Sequence, residues 1–158
     1  MRNKELSRQI QRINDLIRRT DKACGGNIEL QAEWARFICV ISAGLLENAI
    51  KELYIDFSRK KVTAPLASFV SSTLSPIRSP KSSKFLDTAG AFNSIWKDEL
   101  QQYLDTDGRG DAIDSIMSQR HLIAHGKAHT SNITLANVKD YLKKSIEVLE
   151  FIEEQCEK

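Results

Sequence analysis

Arg120 and His125 stand five positions apart in Arg120-His121-Leu122-Ile123-Ala124-His125-Gly126, near the end of what the pattern predicts as a helix. Histidine takes or gives a proton near neutral pH at its unperturbed pKa, and arginine carries a permanent forked cation that fits a phosphate. Together they suit chemistry at a phosphate ester, where a proton moves and negative charge builds on oxygen. A histidine just before a glycine is also well placed to cap a helix, because the free carbonyls and the dipole at a C-terminus favour imidazolium.

The neighbouring residues constrain the pair. Ala112, Ile113, Ile116, Met117 and Ile123 make an apolar stripe on a helix over about 111–126, and Arg120 falls on it, about 20° from Ile113 and about 40° from Ile116. A guanidinium among isoleucines loses hydration worth several kcal/mol unless it is paired, and it cannot shed its proton. Three readings stay open: an ion pair with Glu47 or another carboxylate, a stem that snorkels to the surface, or a cleft that receives a phosphate. Five residues separate two side chains by about 140° on an ideal helix. Arg120 and His125 therefore reach one phosphate only if the last turn loosens before Gly126, or if the arginine reaches around a groove. His121 lies about 40° from His125 on the wheel, and Lys127 and His129 extend the segment into a short basic cluster suited to binding a phosphorylated substrate.

Other chemistries fit less well. His121, His125 and His129 form an HxxxHxxxH series, and two histidines four apart can share a metal. Gly126 is expected to break the helix before His129, and no HExxH glutamate or cysteine pair completes a set, so neither metal nor cofactor is expected. Ser115 and Ser118 read as helix-surface serines without a nucleophile elbow. Cys24, Cys39 and Cys156 are odd in number, widely spaced and free of CxxC pairing. They read as reduced thiols of a cytoplasmic protein, Cys39 being a small core hydrophobe within Phe37–Ile41.

The elements that must position these residues are helical throughout. The 158 residues suit one domain spanning 1–158, and 41% hydrophobic and 28% charged residues with 7 Gly and 3 Pro fit a helix-rich globule. A net charge of +2 gives no general nucleic-acid signal, so phosphate binding has to come from a local cluster. No apolar run approaches the ~18 residues of a membrane span, and the N-terminal residues lack a signal-like apolar stretch.

An amphipathic helix is predicted over about 3–22, with Leu6, Ile10, Ile13, Leu16 and Ile17 on one side and Arg8, Arg12, Arg18 and Arg19 elsewhere, ending at Gly25-Gly26. A longer one follows over about 28–60, uncharged from Phe37 to Leu46 and hence central to the fold. Ala43 and Gly44 in it would let a helix or second subunit approach closely, and Glu47 is its first carboxylate after the buried run. A short helix over about 66–74, an irregular basic loop with Pro76, Arg78, Pro80, Lys81 and Lys84, and a helix over about 84–104 precede the motif helix. Thr134 then reads as the N-cap of a last long helix. The expectation is an all-α, up-and-down bundle of about five long helices.

The segment Arg120–Gly126 resembles the Arg-x(4 to 6)-His motif of the HEPN superfamily. Glu47 in Leu45-Leu46-Glu47-Asn48-Ala49 on an earlier helix, and the motif's place just before the final long helix, are similar to the RiboL-PSP-like branch over about residues 30–155. The resemblance implies a metal-independent endoribonuclease, usually a homodimer, whose two motifs face one another across the interface. It implies that His125 acts on the proton of a ribose 2′-OH, that Arg120 stabilises the phosphorane, and that Glu47 orients Arg120 or His125. The products would be a 2′,3′-cyclic phosphate and a 5′-hydroxyl. His121 stands where such motifs often carry Asn. The same resemblance suggests a toxin held by an antitoxin protein, and the alternative is a non-catalytic helical module that binds RNA, a nucleotide or a protein partner.

Overall fold

A computed structural model describes residues 1–158. Its elements are α1 (Lys4–Cys24), α2 (Ile28–Lys61), α3 (Ala64–Leu74), α4 (Ser82–Phe92), α5 (Ser94–Leu104), α6 (Arg109–Ala124), a 3₁₀ turn (Ala128–Thr130) and α7 (Leu135–Glu157). The chain is all-α. The helix expected over 84–104 is two helices, because the backbone turns extended at Asn93 (φ −158°, ψ 124°) and its side chain accepts from the Ile95 N–H to start α5. Asn at such a break satisfies a donor that a new helix would otherwise leave free.

Local signals set the other boundaries. Asn3, Asn27 and Thr134 cap α1, α2 and α7 with side-chain oxygens. Pro65 occupies the first turn of α3, where its missing N–H costs nothing. α2 is the central element, packed by α1, α3, α6 and α7. Its Ala35, Ile38, Cys39, Leu46, Ala49, Ile50 and Tyr54 are wholly or almost wholly sealed within one cluster of 29 buried residues that also takes Ile113 and Ile116 of α6 and Leu149 and Ile152 of α7.

One strip of α2 escapes this cover. Phe37 is 50% and Val40 37% exposed, and Gly44 has open space where a Cβ would stand. The apolar run from Phe37 to Leu46 is thus buried on most sides and bare on one, immediately before Glu47. No helix is long and apolar enough to cross a membrane.

Candidate functional site

α6 buries Ala112, Ile113, Ile116 and Met117. Arg120, one turn beyond Ile116, is only half-buried. Its Nη1 leaves the core edge and donates to Ser79 Oγ at 2.9 Å. Ser79 lies in the loop between α3 and α4, in the left-handed region at φ 44°. Its backbone N–H donates to Glu47 Oε2 at 2.9 Å. The other Glu47 oxygen faces Lys51 Nζ at 3.5 Å and Arg78 Nε at 3.8 Å. Glu47 therefore supports Arg120 through Ser79 rather than by the direct ion pair considered from sequence, and Arg120 itself has no carboxylate partner.

The loop is held at a second point. Asp114 of α6 accepts from the Ser82 backbone N–H at 2.7 Å and from its hydroxyl at 3.0 Å, capping the start of α4, whose own N-cap residue Lys81 offers no side-chain acceptor. Residues 75–82 are strapped between carboxylates of α2 and α6, and Arg120 meets the strap at Ser79. Cys39 of α2 adds a third fastening, donating from Sγ to the Ile116 carbonyl at 3.5 Å. Burial pushes this thiol up to about 12, against a smaller opposing pull from the Arg120 backbone N–H. α2 thus grips α6 at the turn that carries the arginine.

His125 ends α6. Its backbone leaves helical geometry (φ −94°, ψ 23°), Gly126 turns left-handed at φ 71°, and the Lys127 N–H closes on the Leu122 carbonyl at 2.9 Å. This is a Schellman ending, and Gly126 is the residue type it calls for. The His125 and His121 rings, both exposed, lie 4.2 Å apart by centroid at 52°. Lys127 and His129 are exposed in the segment that follows. Gln119 anchors that segment, accepting from Ser131 Oγ at 2.7 Å and donating to Asn132 Oδ1 at 3.1 Å. No three His, Cys, Asp or Glu side chains converge as a metal would require.

Two groupings result within one chain: Glu47, Ser79 and Arg120 in one network, and His121 with His125 in a pair at the helix end. No hydrogen bond joins them. Ser79, Arg78 and Asp114 were not singled out as site residues from sequence. Ser79 carries no local signal, since it is one serine among many and becomes special only through a contact 41 residues away. The flanking Pro76 and Pro80, which force an irregular loop, are the nearest hint.

The chain is all-helical, with Arg120 of α6 held by a carboxylate-anchored loop and His125 at the opened end of the same helix. The sequence profile of RiboL-PSP-HEPN matches residues 2–158. The chain belongs to that family, which places it among nuclease or RNA-related modules. No curated protein and no solved structure matches it.

Proposed function

We propose that the chain is a metal-independent endoribonuclease in which His125 and Arg120 act on the scissile phosphodiester. The observation that carries this reading is the way Arg120 is held: a half-buried guanidinium, aimed by Ser79 and Glu47, with no carboxylate to neutralise it. Such a cation keeps its charge for an incoming anion and loses little freedom on binding one. His125 takes the proton of the ribose 2′-OH, the 2′ oxygen attacks phosphorus, and Arg120 stabilises the charge on the phosphorane. The Arg120 that serves each His125 comes from the partner subunit, and a proton from water goes to the departing 5′ oxygen, leaving a 2′,3′-cyclic phosphate and a 5′-hydroxyl. Acid-base and electrostatic terms of this kind each contribute roughly 10² to 10⁴ in rate. His121 supports the His125 ring, and Lys127 and His129 bind flanking phosphates.

The composite site needs a homodimer. The bare strip of Phe37, Val40 and Gly44 supports one, because it is apolar, admits close approach and runs directly into Glu47. A toxin role with an antitoxin partner is the biological setting we propose for this activity. Arg120's hydrogen bond to Ser79 also fits a second reading, a non-catalytic RNA- or protein-binding module in which the arginine only fastens the loop. Incubating structured RNA in EDTA with wild type, Arg120→Ala and His125→Ala separates the two. Cleavage by wild type alone supports the enzyme, whereas no cleavage by any of them supports the binding module.

A further inference from the structure

The outer face of α1 carries Lys4, Arg8, Arg12, Asp15, Arg19 and Lys22 at spacings of three or four, within an arc of about 80° and over a length of about 27 Å. The five cations are exposed. Leu6, Ile13 and Ile17 on the opposite side are buried in the core. Asp15 is engaged by Arg18, and Arg8 has only Glu5 at 4.0 Å, while Lys4, Arg12, Arg19 and Lys22 have no acidic partner. Residues Lys4–Cys24 hold six cations and three carboxylates, so the rest of a chain with net charge +2 is close to neutral.

This arrangement works against the helix that bears it. Lys4 with Arg8, and Arg8 with Arg12, are like charges four apart, a spacing that destabilises an isolated helix. A row of cations on a rigid rod matches a row of phosphates, whose spacing is on the scale of a helical turn. An anionic bilayer fits less well, since the apolar face that would enter lipid is already buried. We propose that this stripe is a track for the phosphate backbone of single-stranded RNA, on an element separate from Arg120 and His125. The proposal rests on the ribonuclease reading for the identity of the nucleic acid.

Binding is measured by anisotropy of a labelled single-stranded RNA in EDTA. The protein is the His125→Ala chain, which leaves the strand intact, with and without Arg8→Gln, Arg12→Gln and Arg19→Gln together. The expected result is a Kd weakened about tenfold at ~0.1 M salt and a slope of log K against log salt shallower by about 2, with both restored by Lys at the three positions. An unchanged Kd and slope, or no rescue by Lys, overturns the track. If the triple variant is less folded by circular dichroism, Arg12→Gln alone is expected to lower the slope by about 0.7. Tighter binding to phosphatidylserine vesicles than to RNA also overturns it. Wild-type cleavage is assayed in parallel: cleavage with unaffected binding removes the track alone, and binding through the stripe without cleavage removes the active-site reading alone.

Discussion

Arg120 and Glu47 act on one another through Ser79, whose hydroxyl accepts from the guanidinium and whose backbone N–H donates to the carboxylate. A serine in the left-handed region pays for this bridge in backbone strain, because its Cβ crowds the following carbonyl. The bridge makes Ser79 a positioning residue for Arg120.

Ser79→Ala and Ser79→Gly separate strain from hydrogen bonding. Both lose the acceptor for Arg120, and both should lower cleavage roughly tenfold, less than the ~10² or more expected for Arg120→Ala. Glycine alone relieves the backbone, so Ser79→Gly should be more stable than Ser79→Ala by about 1 kcal/mol in urea denaturation.

Glu47→Ala leaves the Ser79 N–H without its partner. The expected cost is about 1–3 kcal/mol, with Glu47→Gln costing less because an amide oxygen still accepts. Hydrogen exchange should show the Ser79 amide opening in the alanine variant while the α2 core amides near Ile50 keep their relative protection.

Gly126→Ala forces a Cβ into the left-handed ending of α6, at φ 71°. Thermal denaturation should show a loss of about 1 kcal/mol, and activity should fall because the turn that presents His125 is disturbed.

The thiols set a stability window at high pH. Burial pushes Cys39 up to about 12 from 9.0, and burial with the nearby Glu153 carboxylate pushes Cys156 up to about 12. Each group keeps its proton in the folded chain after the unfolded chain has released it. Their contribution is fully present below pH 9.0 and is lost as pH rises through about 12. Urea midpoints should therefore fall above pH 9, and Cys39→Ala with Cys156→Ala should flatten that fall. Alkylation of Cys39 should be negligible at pH 8 until the chain unfolds.

Much of this architecture was legible in the sequence. The apolar run of α2, the Gly126 ending and the Thr134 cap are local features, and the structure places each as the pattern implies. The break at Asn93 was hidden because Phe92, Ile95 and Trp96 continue an apolar pattern across it. Helical spacing alone puts Arg120 on the buried stripe. It is half-exposed because the cover over α6 thins one turn before the residue, which spacing cannot report. Ser79 was invisible for a different reason: its role is a tertiary contact joining α2, the strap loop and α6.

The composite site is tested most directly by mixing Arg120→Ala and His125→Ala chains, after exchange of subunits, and measuring RNA cleavage and product ends in EDTA. Each variant alone should be inactive. The mixture should recover roughly a quarter of wild-type activity, because half of randomly paired dimers are mixed and each holds one intact Arg120–His125 pairing across the interface. The products should carry 2′,3′-cyclic phosphate and 5′-hydroxyl ends. A mixture as inactive as its components, beside an active wild type, would contradict the site shared between subunits; a wild type that leaves RNA intact would contradict the enzyme itself.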